Sequence, residues 1–553
     1  MLQENLTVSE IKARTEEENR ANFLLTVRRN YVPILLGLII LLAFSLRIYD
    51  ITGNPPGLNQ DEAVNGVDAY SLGQTLRDHH GNFLPALLES FEDWASSLLT
   101  YLTVPFVWVL GLSEFSVRLP VVLLGTASVP LMFLYVRKLT GQTNLGLLAS
   151  FLLGIMPWNI MASRFAIPPH SLVFFLLLLL YVNVRVGPTE KKLWKFGAIG
   201  ALAALVTYSY STQKMFIPLL LGVFFIADIF NNIPPKLFIK KYLVIGGTFL
   251  ALTSPIYLLT LIDPGKYNAR FTAVSIFSQY QNPTIEILTR YLNYFNPIRI
   301  FDGPNTFIFL VIFHYLGIAG CIFRVIYREP FFNILNKSQA VLLLGWWLVT
   351  PVAASLTIDP YISSRVIHGF PLVIIFSVLG FAIVCDPLKT RFKKFPKFEL
   401  TFYLIVVAFS VYFLVVFYST YSNLYKTSTR ATYQYGVPQF SQFLVQHKTE
   451  FDTVTVDSHI NQPYIYYLFY SKEDPHQYNY SEITFPQNGQ DNIRGIPRLD
   501  NYIYAKVDPE TVAGADELLT VKDEDGTAWY KVFAKDRHWY VQMLNKTDYE
   551  PPY

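Results

Sequence analysis

Residues 31–66 read "YVPILLGLIILLAFSLRIYDITGNPPGLNQDEAVNG" and set the class of the protein. The first part, near residues 31–49, is an apolar run of about the 20 residues that a helix needs to cross a bilayer. The second part breaks that run with Pro and Gly and then places Asp61 directly before Glu62. The stretch therefore predicts a membrane-spanning helix followed by a loop that carries two adjacent acids.

The composition extends this prediction to the rest of the chain. Of the 553 residues, 52% are hydrophobic, 16% are aromatic and only 15% are charged, whereas charged residues make up about a quarter of an ordinary soluble domain. The chain is therefore predicted to be a mainly α, polytopic membrane protein with about 11 transmembrane helices, near residues 31–49, 117–136, 145–162, 171–186, 196–211, 216–230, 242–261, 305–325, 339–357, 366–385 and 399–419.

Basic residues are unevenly divided between the two sides that alternating spans define. The segment "LLTYLTVPFVWVLG" at 98–111 is short and carries Pro105, and we do not count it as a span. Six segments on one side then hold 22 Lys plus Arg, against about eight in all the loops opposite. Because basic loops stay in the cytoplasm, we predict residues 1–30 as a cytoplasmic tail. Residues 50–116 and 262–304 then form two long outer loops, with 98–111 as a re-entrant or surface helix.

The character of the sequence changes after the last predicted span. Residues 422–553 are polar, with short β-branched and aromatic runs such as "FDTVTVDS", "YIYYLFY", "NYIYAKV" and "WYKVFAKD" between Pro, Gly, Asn and Asp. Such runs are typical of strands, and "VPQFSQFLVQHKTE" has the periodicity of a helix. We predict an extracytoplasmic α+β domain here.

The outer face brings an acid-rich first loop opposite several isolated cations. Each cation on its own is explained by snorkelling or by a structural ion pair. Together, on the side that the positive-inside rule depletes of basic residues, they indicate an anionic partner, and a lipid phosphate is the obvious one at that depth. We therefore predict that the phosphate is bound by Arg164, Lys214, Arg270 and Arg365.

The sequence also limits the other ligands. His170, Asp68 and His368 are candidate contacts for a sugar or an acceptor, but they lack the spacing of metal ligands. The two cysteines, Cys321 and Cys385, lie in apolar runs and offer neither a disulfide framework nor a metal–thiolate site. The net charge of +3 is small and scattered, so a nucleic-acid partner is not expected.

A purely structural role explains Glu62 better than it explains Asp61. Asn59 is placed to cap a helix that starts near Gln60, and Glu62 then completes a capping box. Asp61 gains only about 0.3 to 1 kcal/mol from the dipole of that helix, which is a weak structural reason for an acid. We predict both as catalytic, with Asp61 as the principal group.

Four stretches make the sequence similar to a known class of enzymes: "LRIYDITGNPPGLNQDEA", "GLSEFSVRLPVVLLGTASVPLMFLYVRKLTG" at 111–141, "SRFAIPPHSLVFF" and "SRVIHGFPLVIIFSVLGF". Over about residues 31–385 the chain resembles the polyprenol-phosphate-sugar-dependent glycosyltransferases of the GT-C superfamily. More narrowly, it resembles the family of dolichyl-phosphate-mannose protein mannosyltransferases and bacterial aminoarabinose transferases. The resemblance implies a GT-C transmembrane domain over residues 31–421, with Asp61 as the catalytic carboxylate.

The chain also departs from these relatives. It has Pro169 and His170 where aminoarabinose transferases have an acid, and "ESFEDWASS" where they have a lysine, so their substrate details are not transferred. The D-x-D metal motif of oligosaccharyltransferases is absent from the first loop, which favours transfer without a metal or other cofactor.

The function that these observations predict is transfer of a sugar from a polyprenyl-phosphate donor to an acceptor hydroxyl on the extracytoplasmic face, with inversion. The acceptor is a protein, a lipid or a glycan, and the expected location is the plasma membrane of a prokaryote. Three alternatives stay open. They are a transporter or lipid flippase, a ligase or polymerase of undecaprenyl-diphosphate-linked glycans, and a scaffold whose outer domain binds the cell wall.

Overall fold

The computed structural model describes residues 30–91, 93–278, 280, 282–301, 306–327, 334–358, 363–391, 398–460, 462–478 and 502–544. Its helices, labelled in chain order, are α1 Asn30–Ile48, α2 Gln60–Thr75, α3 Leu98–Leu110, α4 Glu114–Thr140, α5 Thr143–Ile155, α6 Pro157–Ala162, α7 Leu172–Val186, α8 Leu193–Thr207, α9 Gln213–Ile229, α10 Pro235–Ile262, α11 Pro264–Tyr267, α12 Ala269–Val274, α13 Pro283–Asn293, α14 Pro297–Phe301, α15 Val311–Ile326, α16 Lys337–Val349, α17 Val352–Ser355, α18 Phe370–Arg391, α19 Phe398–Thr420, α20 Lys426–Ser428, α21 Val437–Gln446 and α22 Pro463–Ser471. The strands are β1 Leu87–Ser90, β2 Asp93–Ser96, β3 Thr453–Asp457, β4 Tyr502–Ala505, β5 Asp516–Lys522, β6 Ala528–Lys535 and β7 His538–Met543.

The membrane character predicted from the sequence is confirmed. Within the described ranges, eight helical segments are long and apolar enough to cross a bilayer, and they correspond to eight of the eleven predicted spans. The other three predicted spans are shorter helices: α5 with α6, α8, and α9. Pro157 divides the first of these, because a proline inside a helix removes a backbone hydrogen bond and clashes with the preceding turn.

The segment that the sequence excluded from the spans is a short helix, α3. Its 13 residues extend about 20 Å, which is too short to cross the hydrocarbon core of a bilayer. The side chain of Trp108 near its end is 75% exposed. The re-entrant or surface placement of α3 stays a prediction.

The helices α15 and α18 cross at two glycines. A Cβ atom on Gly380 would lie 1.8 Å from the backbone oxygen of Phe313, and one on Gly317 would lie 2.0 Å from that of Phe376. Small residues at such crossings let two backbones approach closely inside a membrane. The crossing therefore tolerates no larger residue at either position without a shift of backbone.

A five-stranded sheet forms the C-terminal domain, in the order β4-β3-β7-β6-β5. Strand β3 runs parallel to β4 and β7, and the remaining neighbours are antiparallel. The predicted helix is present as α21, but the prediction of a strand at "YIYYLFY" is wrong because these residues form α22. Residues Pro463 to Phe469 are all buried, and an apolar run buried on every side carries no periodicity that separates helix from strand.

This C-terminal domain packs directly on α2 of the first outer loop. One hydrophobic cluster contains Ala63, Val64 and Val67 of α2 together with Phe469 of α22. A Cβ on Gly66 would lie 2.6 Å from the Phe469 ring, so α2 and α22 touch at a glycine. The domain and the loop that carries the two acids therefore share one core.

Candidate active site

Helix α2 begins with the capping box that its sequence predicts. The Asn59 side chain accepts a hydrogen bond from the backbone N–H of Asp61 at 2.8 Å, and the Glu62 Oε2 accepts one from the backbone N–H of Asn59 at 3.3 Å. These bonds satisfy backbone donors that the first turn of a helix leaves without partners. They fix the first turn of α2 and with it the directions of the two acids.

Glu62 is fully buried and forms a two-pronged ion pair with Arg118 of α4. The Arg118 Nε donates to Oε1 and its Nη2 donates to Oε2, both at 2.8 Å. The backbone N–H of Ala166 donates to the same carboxylate at 2.9 Å. Glu62 has 0% exposure, which favours a positioning role, and the catalytic role predicted for it stays a prediction.

Arg118 extends this network into the loop before α2. Its Nη1 donates to the backbone oxygens of Ile51 and Pro55, and its Nη2 donates to that of Gly57. A guanidinium presents its N–H groups in a fixed planar fork, which here joins the loop, α2 and α4 at one point. Arg118 thereby holds the backbone that leads to Asp61.

Arg164, like Arg118, donates hydrogen bonds to the backbone of the segment before α2. Its guanidinium, 1% exposed, donates to five backbone oxygens, those of Leu46, Arg47, Tyr49, Asp50 and Asn54. Several of these carbonyls belong to the end of α1, where the last turn leaves oxygens without helical partners. These bonds favour a structural role for Arg164, and its binding of a donor phosphate stays a prediction.

Asp61 differs from Glu62 although the two are adjacent. Its residue is half-buried, whereas Glu62 has no exposed surface. Neighbouring residues on a helix point about 100° apart, so the turn that buries Glu62 against Arg118 directs Asp61 elsewhere. Asp61 is thus an accessible carboxylate held at the start of a rigid, capped helix.

A second set of acids in the first loop is buried. Asp68, 1% exposed, accepts from His79 Nδ1 at 2.6 Å and from the His79 backbone N–H at 3.0 Å. Burial lowers the pKa of His79, but the carboxylate of Asp68 outweighs it and the pKa lies above its ordinary value. Burial and the Asp68 charge together raise the pKa of Asp78 to about 6. Asp68 is bonded to His79 in this structure, and its contact with a sugar or an acceptor stays a prediction.

Arg365, one of the predicted phosphate-binding cations, lies near Arg290 of the second loop. Arg365 is half-buried and donates through Nη1 to the hydroxyl of Thr357. Arg290 donates to the backbone oxygens of Thr357 and Ile358 at 3.1 and 2.7 Å. Two guanidinium groups therefore contact one short stretch, Arg365 through the Thr357 hydroxyl and Arg290 through the backbone.

The two other cations are described less fully. Lys214 is half-buried in the first turn of α9. Arg270 belongs to α12, and its side chain lies outside the described residues.

The first and second outer loops touch each other. The Lys266 Nζ lies 4.7 Å from the centre of the Trp94 ring, and the rings of Trp94 and Tyr267 are 4.6 Å apart. An ammonium group over a tryptophan face is attracted by the ring quadrupole. The acid-bearing loop and the cation-bearing loop are therefore neighbours, as the sequence predicts.

The two histidines of the outer turns are engaged with the protein. His368 is fully buried, with Nδ1 3.2 Å from Gln213 Nε2 and Nε2 3.0 Å from the backbone oxygen of Thr350, and its contact with substrate stays a prediction. His170 is half-buried, with Nδ1 2.5 Å from the backbone oxygen of Phe165.

An apolar groove lies beside Arg365. It is lined by Tyr294, Phe295, Ile300, His314, Trp347, Thr350, Pro351, Val366, Gly369, Phe370, Leu372 and Val373. Its volume is about 50 Å³, so the cavity is small.

Arg118 and Arg47 are the site residues that the sequence prediction missed. Both are buried arginines in helices that are otherwise apolar, and Arg47 donates to the backbone oxygens of Ala43 and Gly154. A charge inside a membrane span requires a partner or a polar contact, which is the signal that could have singled them out. Among the described residues, no group of three or more His, Cys, Asp or Glu side chains is arranged to hold a metal ion.

Comparison with known proteins agrees with this architecture. Residues 37–274 match the family model of the dolichyl-phosphate-mannose-protein mannosyltransferases. No curated protein matches the sequence. The fold is similar to that of the oligosaccharyltransferase AglB from Archaeoglobus fulgidus in complex with an inhibitory peptide and a dolichol-phosphate. Identity is 13% over 80% of this chain and 64% of that chain, with a TM-score of 0.50.

Two further solved structures resemble the chain. The A. fulgidus oligosaccharyltransferase in complex with Zn and sulfate is 14% identical over 79% of this chain and 61% of that chain, with a TM-score of 0.50. ArnT from Cupriavidus metallidurans in the apo state is 14% identical over 81% of this chain and 85% of that chain, with a TM-score of 0.48. The chain thus spans less than two thirds of the length of the oligosaccharyltransferases.

The fold is similar to that of solved membrane glycosyltransferases of the GT-C superfamily, and residues 37–274 match the model of one family of that superfamily, in line with the resemblance seen in the sequence.

Proposed function

We propose that the protein moves a sugar from a polyprenyl-phosphate donor to an acceptor hydroxyl on the extracytoplasmic face of the membrane. The acceptor hydroxyl attacks the anomeric carbon and passes its proton to Asp61. The bond between that carbon and the phosphate oxygen breaks, and polyprenyl phosphate leaves. Attack from the face opposite the leaving group inverts the anomeric configuration.

The contrast between the two adjacent acids carries this proposal. A phosphate leaves without help from a general acid, so one carboxylate acting as a base is enough, unlike the pair that glycoside hydrolysis needs. Of the two adjacent acids, Asp61 is the partly exposed one, and Glu62 is used to fix the turn through Arg118. This is the arrangement expected of a single base that is held in place.

Cations of the outer face complete the site. We assign the donor phosphate to Arg365 and Lys214, with Arg270 as a further candidate, and they would stabilise the charge that develops on the leaving phosphate. Arg164 is left out of this group because its N–H groups bind backbone oxygens.

The comparisons support the donor class and the setting. An AglB structure with a similar fold contains a dolichol-phosphate, so this fold accommodates a polyprenyl phosphate. The eight apolar helices make the chain an integral membrane protein. We place the protein in a prokaryotic plasma membrane, with the N-terminus in the cytoplasm and the C-terminal domain outside. The acceptor class, protein, lipid or glycan, stays open.

Transfer without a metal is also part of the proposal. Its basis is the missing D-x-D motif in the first loop. The oligosaccharyltransferase structure with a similar fold contains Zn, so the dependence of transfer on a metal has to be tested. Activity should persist after treatment with EDTA, and a loss that added Mn²⁺ or Zn²⁺ restores would overturn this part.

The experiment for the function is a transfer assay with purified protein in nanodiscs, a polyprenyl-phosphate sugar and a membrane extract as acceptor. Release of polyprenyl phosphate and its dependence on Asp61 are the readouts. Asp61→Asn should lower the rate by about 10²- to 10⁴-fold, the usual contribution of a general base. Asp50→Asn is the matched control, since Asp50 is exposed in the same loop. If wild-type protein released no polyprenyl phosphate, the function would be wrong.

A further inference from the structure

A basic groove lies at the other end of α4 and α7, far from Asp61. It is lined by Leu134, Arg137, Lys138, Gly141, Tyr181 and Arg185, and its volume is about 420 Å³. From Arg118 to Arg137 the rise along α4 is about 30 Å, roughly the thickness of the hydrocarbon core. The groove is therefore separate from the donor site.

The sequence positions of its lining residues explain the groove. Arg137 and Lys138 follow Leu134 by three and four residues, and Gly141 follows them by four and three, so the four residues share one face of α4 and its cap. Tyr181 and Arg185 are one turn apart on α7. A side chain at Gly141 would meet no atom within 4 Å, so the mouth of the groove is open.

Three of the six lining residues are cations and none is an acid. Neighbouring cations at the same end of the bundle have acid partners: Lys195 pairs with Glu190, and Lys241 pairs with Asp228. In the described part of the chain, no carboxylate forms an ion pair with the cations of the groove. Cations that serve only to orient a membrane protein do not need to converge on a shared groove.

We propose that this groove binds the headgroup of an anionic phospholipid of the inner leaflet. Arg137, Lys138 and Arg185 would contact the phosphate, since basic pockets between transmembrane helices on the cytoplasmic side suit such headgroups. Leu134 and the Tyr181 ring lie one or two turns deeper along their helices and would contact the start of an acyl chain. The site is independent of the sugar-transfer function.

The test uses full-length protein in phosphatidylcholine nanodiscs that contain a minor fraction of cardiolipin, with bound lipid measured by native mass spectrometry. The triple variant Arg137→Gln, Lys138→Gln and Arg185→Gln should retain at least about tenfold less cardiolipin, because each cation adds to the attraction. The matched control is Lys191→Gln, Lys236→Gln and Lys240→Gln, which removes the same charge from the same end of the bundle. It should retain cardiolipin like the wild type.

Two results would overturn the proposal. One is equal cardiolipin on the triple variant and the control. The other is displacement of cardiolipin by inorganic phosphate alone at low concentration, which would indicate a site for a soluble anion. If the triple variant fails to fold, the wild-type protein is crosslinked with a photoreactive anionic phospholipid instead, and the labelled peptides are identified. Labelling of peptides that contain Arg137 or Arg185 supports the site, and labelling confined to other peptides refutes it.

Discussion

Exchanging each of the two adjacent acids for its amide should give opposite results. Glu62→Gln leaves the buried guanidinium of Arg118 without a counter-charge, and breaking a buried ion pair in this way costs about 3 to 5 kcal/mol. Asp61→Asn removes an accessible carboxylate whose helix-dipole stabilisation is about 0.3 to 1 kcal/mol. Glu62→Gln should therefore lower stability strongly, whereas Asp61→Asn should lower transfer while leaving stability nearly unchanged.

The free energy of unfolding can be measured by SDS titration in mixed micelles, followed by tryptophan fluorescence, beside the transfer assay. The double variant Glu62→Gln, Arg118→Gln tests the pair itself. Its loss should be smaller than the sum of the two single losses, because the two side chains interact directly. If Glu62→Gln is as stable as the wild type but inactive, Glu62 is the catalytic carboxylate and the assignment of Asp61 as the base is refuted.

Three further predictions concern the rest of the fold. Burial and the charge of Asp68 raise the pKa of Asp78 from 3.8 to about 6. Between these two pH values the folded protein keeps a proton on Asp78 that the unfolded chain releases. Asp78 therefore lowers the free energy of unfolding by up to about 3 kcal/mol as the pH rises through this range. Asp78→Asn should remove this loss, seen as a smaller fall in its thermal midpoint between about pH 4 and 7 than in the wild type; identical profiles would contradict it. Gly380→Val should lower the thermal midpoint by forcing α15 and α18 apart, while Gly246→Val, at a position with no neighbour within 4 Å, should change it little; equal effects would refute the close crossing. Phe469→Ala should cost about 3 to 5 kcal/mol and expose the first loop to protease, whereas Leu518→Ala, 40% exposed, should not; a protected loop in Phe469→Ala would show that the C-terminal domain does not hold α2.

Features that depend on a few neighbouring residues were predictable from the sequence. The apolar run before Tyr49, the capping box of Asn59 and Glu62, and the helix α21 all follow from local spacing, and the structure contains each of them. The placement of acids and cations in two separate long loops also follows from the sequence alone, and their position on the outer face stays a prediction. These signals are local because caps and amphipathic periodicity act within one or two turns.

Features that depend on distant partners were not predictable. Glu62 and Arg118 are 56 residues apart, and nothing in the sequence between them indicates that they meet. Arg164 appeared to be a phosphate ligand because a sequence shows which side a charge lies on but not which carbonyls it contacts. The buried run of α22 was assigned to a strand for the same reason, since its tertiary contacts decide its structure.

The most direct test of the central claim is a density map of the protein in nanodiscs with polyprenyl phosphate bound. The account predicts a phosphate on the outer face, within hydrogen-bond distance of Arg365 or Lys214, with the Asp61 carboxylate open to the same crevice. A phosphate found only in the groove at the far end of α4, or an Asp61 walled off from the headgroup by the C-terminal domain, would contradict it.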